Sequence, residues 1–348
     1  MSNLEKEPVE LLCPPEGSGG NPIQVLQPRD VPLGGPRAMN VRRTLPQRGR
    51  TTIGAWCFAD HYGPDDVSAT GGMVVPPHPH TGLQTVSWLF EGEIEHRDSV
   101  GSHELVRPGG VNLMTAGRGI SHSEVSTGAT TTLHGVQLWT VLPDESRHVA
   151  PFFEHADTTP FSFDDATVRV FVGRLAGHGT PVTVFSPLLG AQIDLPAGGE
   201  VWLDLDEGFE HGILVDRGPV RLTVPAREGE ADAADENADP LAETGHTVEL
   251  AWSELGYLPA GGDGLRLRAD DGPARVVLLG GTPFDEQIVM WWNFIGRDHD
   301  EIVAFRGEWQ HDVIDGGEPA GPFGTVAGYD GDPLPAPELP TVRLRPRA

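Results

Sequence analysis

Short apolar runs divided by turn residues dominate the chain, and few of them carry the 3.6-residue period of an amphipathic helix. Thr85 to Leu89 (TVSWL) joins β-branched and aromatic residues and is closed by Glu91-Gly92. Ile94 to Ser99 pairs back from it, Val100-Gly101-Ser102 turns again, and Pro108-Gly109-Gly110 leads into Val111 to Thr115. This pattern predicts strands joined by hairpins at the Gly and Pro positions. Thr131 to Leu142 is predicted to close a first barrel. On that strand Leu133, Gly135, Gln137 and Trp139 share one face, and His134, Val136 and Leu138 the other. Strand candidates continue at Val168 to Val172, Val182 to Phe185, Gln192 to Leu195, Glu200 to Asp204, His211 to Asp216, Val220 to Val224, Thr247 to Ala251, Leu265 to Ala269 and Val276 to Leu279, enough for a second barrel. Helical spacing emerges after Asp298, a predicted N-cap with an acidic residue at the third helical position, and it puts Ile302, Phe305 and Trp309 on one side. The predicted fold class is all-β: two β-barrels in one chain with a short C-terminal helix.

Length agrees, because 348 residues exceed the size at which one core usually stops growing. Gly and Pro, 45 and 32 of them, make about a fifth of the chain, which fits many short strands and turns. The expected division is a disordered tail over 1–22, a first domain over 23–142, a linker over 143–165 and a second domain over 166–315. Within the second, 227–245 (EGEADAADENADPLAET and its flanks) reads as a solvated acidic insertion, and 316–348 reads as a Gly/Pro-rich extended tail.

Charge narrows the function classes. Twenty-four basic against 51 acidic residues give a formal charge of -27, which repels phosphate backbones and anionic lipid. Direct nucleic-acid or membrane binding is therefore not expected. Cys13 and Cys57 make no disulfide framework, the N-terminal MSNLEKEPVE lacks the basic-then-apolar form of a signal peptide, and no apolar run approaches a membrane span. A soluble protein of a reducing, cytoplasmic compartment is expected.

The chemistry concentrates between Gly71 and Ser126. His78-Pro79-His80 and His122-Ser123-Glu124 each place two donors at i and i+2, which on an extended strand point to the same face. If the two segments lie side by side, His78, His80, His122 and Glu124 converge on one interior point. Three imidazoles and a carboxylate suit iron and other first-row divalent metals, and four ligands around an octahedral ion leave two positions open. The other histidines carry no such pattern. His61 is expected in a turn made by Asp60, His61 and Gly63-Pro64; His96 and His103 are expected to face solvent; His134 is expected to be structural. His178, His211 and His246 are isolated, so no metal is expected in the second barrel, and His299 and His311 are expected at the surface.

Val41-Arg42-Arg43, Phe58-Ala59-Asp60-His61-Tyr62-Gly63-Pro64, His78-Pro79-His80-Thr81-Gly82, Thr85-Val86-Ser87, Thr115 to Glu124 (TAGRGISHSE) and Gln137-Leu138-Trp139 together resemble the signature of the pirin family. The resemblance covers about residues 40 to 142 and thins after 150, where Gly280-Gly281-Thr282-Pro283-Phe284 and Glu286 still carry it. It implies a bicupin, that is, two jelly-roll-like barrels of the cupin superfamily, with one iron at the positions of His78, His80, His122 and Glu124 and none in the second barrel. Two departures stand out: Gln84 occupies a position where many cupins carry Glu, and Trp291 to Gly296 (WWNFIG) differs from shorter members. The resemblance further implies quercetin 2,3-dioxygenase-like ring cleavage of a flavonol or related chelating small molecule; from the chemistry of the site, Glu124 is expected to double as the catalytic base that accepts a proton from a substrate hydroxyl. Its rival is an iron-dependent redox sensor that docks a regulatory protein partner without turnover. A scaffold without metal is the third reading.

Overall fold

The computed structural model describes residues 22–32, 39–69, 72–225, 245–317 and 321–347. The expected tail over 1–22, with Cys13, and the acidic insertion over 227–245 lie almost wholly outside these residues.

The all-β expectation holds, with two antiparallel barrels followed by one α-helix, His299–Trp309. In the first barrel a seven-stranded sheet runs Phe152–Asp157, Gly110–Thr115, Leu83–Glu91, Thr132–Val141, Trp56–Asp66, Asn40–Leu45 and Arg29–Pro32. It faces a four-stranded sheet ordered Val74–His80, Ile120–Ser126, Ile94–Asp98 and His103–Val106. In the second barrel the strand Ala274–Gly281 lies centrally, between Leu188–Leu195 and Glu210–Arg217, and Glu200–Asp204, Gly264–Arg268, Val220–Pro225 and Gly245–Leu250 form the facing sheet.

The two barrels meet along their large sheets. Trp56, Trp88, Val136 and Leu138 from the first pack with Phe171, Val172, Leu214, Val277 and Leu279 from the second in one apolar cluster. Trp56 Nε1 donates to the carbonyls of Leu189 and Gly280, each at 3.1 Å, and Trp88 Nε1 donates to Gln192 Oε1 at 2.8 Å. This explains why Thr132–Val141 is buried on both faces apart from its first residue: one face looks into the first barrel and the other onto the second.

Several boundaries fall elsewhere than expected. Gln24–Leu26, placed in the first domain by the sequence, pairs with Leu255 to Tyr257 of the second barrel, and only from Arg29 does the chain enter the first. Phe152–Asp157 lies within the stretch expected as a linker, yet it extends the first barrel's sheet by pairing with Gly110–Thr115. Asp60, His61 and Gly63-Pro64 do not form a turn; they lie inside the strand Trp56–Asp66, with Asp60 and His61 fully buried. The Gly-Pro signal marks an irregularity there. Gly63 has φ +75°, and a Cβ on it would lie 2.0 Å from the carbonyl oxygen of Leu133 across the ladder.

The helix matches its signal. Asp298 accepts from the N–H groups of Asp300 and Glu301 at 2.8 and 3.0 Å, and Ile302 and Trp309 are buried with Phe305 beside them. His311 is exposed as expected, while His299 is half-buried and its Nδ1 accepts from Leu344 N–H at 3.2 Å. Beyond the helix, 321–347 has almost no regular secondary structure but is held down. Phe323 is fully buried, its carbonyl accepts from Ser121 Oγ at 2.9 Å, and Leu334 N–H donates to the carbonyl of Pro77 at 2.8 Å. The last segment therefore returns to the first barrel.

Candidate metal centre

Val74–His80 is the edge strand of the four-stranded sheet, where a run containing Pro76, Pro77 and Pro79 is tolerated because one flank needs no ladder donors. Its antiparallel neighbour Ile120–Ser126 pairs His122 with His78 and Ile120 with His80, and a bulge between His122 and Glu124 shifts the register before Glu124 meets Val75. The turn feeding this neighbour needs glycine. Gly117 has φ +51°, and a Cβ there would lie 2.0 Å from the carbonyl oxygen of Val149.

The expected convergence occurs for three of the four residues. Donor atoms of His78, His80 and His122 all lie within 4.8 Å of one another, and all three side chains are fully buried. His80 Nε2 and His122 Nε2 are 3.1 Å apart. Glu124 is not part of that tight group, but it too is buried, with Oε1 3.5 Å from Ser87 Oγ and Oε2 without a hydrogen-bond partner. Ser87 Oγ also donates to Gln137 Oε1 at 2.9 Å.

Each imidazole is oriented through its Nδ1. His78 Nδ1 lies 2.9 Å from the carbonyl of Pro76 and donates to it; Nε2 is left without a partner. His80 Nδ1 lies 3.2 Å from the carbonyl of Asn293. A proton on Nδ1 leaves the Nε2 lone pair for a ligand. For His122 the partner is His96, whose Nδ1 is 3.3 Å from His122 Nδ1 and whose Nε2 is 3.3 Å from Asp98 Oδ2. If His96 donates from Nε2 to Asp98, its Nδ1 accepts from His122, which again frees His122 Nε2. His96 thus corrects the expectation that it faces solvent: it is 3% exposed and stacks on Phe153. A signal for it existed, since Ile94, His96 and Asp98 alternate in phase and pair opposite Ser126, Glu124 and His122. His103, by contrast, is exposed and bonded to Glu95.

Burial sets the protonation states. Desolvation lowers His78 from its usual value to about 3 and holds His80 and His122 well below theirs, with mutual repulsion among the imidazoles adding to it. The trio is neutral at physiological pH, the form a metal requires. Gln84, the departure noted above, is engaged in hydrogen bonds at both ends of its amide. Its amide donates to Thr115 Oγ1 and the carbonyl of Thr183, both at 2.9 Å, and accepts from Thr140 Oγ1. Three neutral imidazoles, an unpartnered Nε2 on His78 and an unpartnered carboxylate oxygen on Glu124 fit a first-row divalent ion.

Comparison with known proteins agrees with this architecture. The sequence profile described as Pirin matches residues 38–140, and that described as Pirin C-terminal cupin domain matches 190–314. A Pseudomonas aeruginosa protein named "Putative quercetin 2,3-dioxygenase" is 40% identical over 319 residues, spanning 91% of each chain. A "Pirin-like protein" of Caulobacter vibrioides is 32% identical over 280 residues, covering 78% of this chain and 88% of its own. The crystal structure of quercetin 2,3-dioxygenase from Acinetobacter baumannii superposes with a TM-score of 0.79 at 35% identity, covering 93% of this chain and 97% of that one.

Proposed function

This chain belongs to the pirin family, and we propose that it is an iron-dependent dioxygenase opening the ring of a flavonol or related oxygen-chelating substrate. One observation carries the reading: a buried group of neutral imidazoles, each oriented by a partner on Nδ1, beside a buried carboxylate with one oxygen unengaged. Similarity to proteins named quercetin 2,3-dioxygenase supports the substrate class. Bound at His78, His80 and His122, with Glu124 as the fourth donor, Fe(II) would supply redox chemistry and open positions for a chelating substrate.

The protein's own residues do the rest. Glu124 accepts the proton of a substrate hydroxyl on the carboxylate oxygen that does not face the ion, and Ser87 Oγ stands 3.5 Å from its Oε1. Gln137 takes the Ser87 proton and so aims that hydroxyl. Trp139, edge-on to His80 at 5.1 Å and stacked on Phe58, makes an apolar wall that keeps water from the ion. His96 and Asp98 hold His122 in the ligating tautomer.

Protein loaded anaerobically with Fe(II) should consume oxygen when quercetin and air are added, and His78→Ala should not. Absence of turnover by iron-replete protein would remove the enzyme reading. A second reading, a redox sensor that docks a protein partner, rests on the contacts of Ser121 and Pro77 with the C-terminal segment, which give a change of iron charge a route to the surface. It predicts partner retention that differs between Fe(II) and Fe(III) protein without catalysis.

A further inference from the structure

Where the large sheets of the two barrels meet, a second set of donors converges. His61 Nε2 and His134 Nε2 lie 2.8 and 2.5 Å from the same oxygen, Oδ1 of Asp216, and 3.4 Å from each other. His61 and His134 belong to neighbouring strands of the first barrel, and Asp216 ends a strand of the second. All three are buried, at 0%, 5% and 2% exposure.

The backbone has been bent to bring them together. His134 sits at a register shift against both of its neighbouring strands, and Asp216 at another between Val215 and Arg217. Bulges re-aim single side chains out of the regular alternation. The same device separates His122 from Glu124 in the centre described above. The surroundings are built as well. His61 Nδ1 lies 2.8 Å from Ser253 Oγ, a hydroxyl able to donate or accept, so His61 can carry its proton on either nitrogen. Phe90 stands edge-on to His134 and Trp252 edge-on to His61, walling the group.

We propose that His61, His134 and Asp216 bind a second divalent transition-metal ion that bridges the two barrels. Bonds of 2.0 to 2.2 Å place neighbouring ligand atoms roughly 3.0–3.4 Å apart, so the observed triangle needs to open by only about half an ångström on two edges. Two imidazoles and a carboxylate form the mixed N/O set that takes Zn(II), Co(II), Ni(II) or Fe(II). Binding requires the proton on each Nε2 to move to Nδ1 of the same ring. In His61 Ser253 accepts it there; in His134, whose Nε2 now donates to Asp216 Oδ1, it moves to that ring's own Nδ1. Both lone pairs are thus freed without a proton leaving either side chain. Among the described residues two cations face the group: Arg275, whose Nη1 is 3.4 Å from Asp216 Oδ2 while its Nε is taken by Asp194 at 2.7 Å, and Arg42, which lies over the Trp252 ring and interacts electrostatically with Asp216 and His61. The role is to tie barrel to barrel, independently of the iron reading above.

The test counts metal in untagged, full-length protein stripped with a chelator, reloaded with Co(II) and dialysed. Wild type should hold two equivalents per chain, the His78→Ala/His122→Ala variant one, and Asp216→Asn one. The melting temperature of the His78→Ala/His122→Ala variant should rise with added Zn(II), and that rise should vanish when Asp216→Asn is added. His134→Gln, at the rim of the group, gives the same reading should Asp216→Asn fold poorly. One equivalent in wild type and none in His78→Ala/His122→Ala would overturn the proposal and leave the triad a hydrogen-bonded latch. One equivalent in wild type, retained by His78→Ala/His122→Ala, would instead speak against the first centre and for this one.

Discussion

In the first barrel, neighbouring strands of the small sheet bury three imidazoles and a carboxylate; in the second, the interior is filled by Val201, Leu203, Ile213, Val215, Leu222, Leu265 and Leu267. The second barrel's interior is predominantly apolar, with Gln192, Glu210 and Asp216 buried towards the first barrel and hydrogen-bonded there. Among its described residues one histidine, His211, is buried; it lines a cavity of about 420 Å³, and its Nε2 has no partner. The first barrel carries buried polar atoms that cost free energy unless a ligand satisfies them. It is braced from outside instead, by the second barrel on one side and the C-terminal segment on the other. The same scaffold thus serves chemistry where its interior is left polar, and stability where it is packed.

The sharpest way to break this comparison is His122→Ala. It should leave the first barrel without bound iron and reduce oxygen consumption with quercetin to background, with the second barrel's hydrogen-exchange protection unchanged. Glu124→Gln should keep the iron in part and lower kcat by about 10²- to 10⁴-fold, the usual range for losing a positioned base. Leu278→Ala, in the second barrel's core, should cost about 2–5 kcal/mol in denaturant unfolding and leave metal content untouched. Acidification comes next. Burial lowers His211 to about 4 from 6.5, so the unfolded chain binds its proton first as pH falls. Its contribution is intact above about pH 6.5 and falls away towards pH 4, by about 3 kcal/mol in all; His211→Gln should flatten the stability profile over that window. The smallest effect expected is Asp298→Ala, about 1 kcal/mol from a lost N-cap, read as a small drop in melting temperature.

What could be read from residues alone followed local rules. The i, i+2 spacing of His78 with His80 and of His122 with Glu124 tells which face each donor takes, and turn residues tell where strands stop. Neither tells which strands become neighbours. Gln24–Leu26 therefore went to the wrong barrel, and Phe152–Asp157, half-exposed with little apolar alternation, passed for a linker. His61 departs from expectation for another reason: Gly63-Pro64 is a turn signal in isolation, but here it marks a kink within a paired strand. The meeting of His61 and His134 with Asp216 was out of reach, because two bulges create it and the partners are 155 and 82 positions apart in the chain from Asp216. The place of His96 is legible in the sequence, because Ile94, His96 and Asp98 alternate in the same phase as the ligand pairs.

Asn293 orients His80, Phe323 receives Ser121, and Leu334 reaches Pro77, so the walls of the cavity that opens the polypeptide are completed by some of its last residues. During synthesis, then, the first barrel cannot finish its own interior until the residues from Asn293 to Leu334 have emerged from the ribosome.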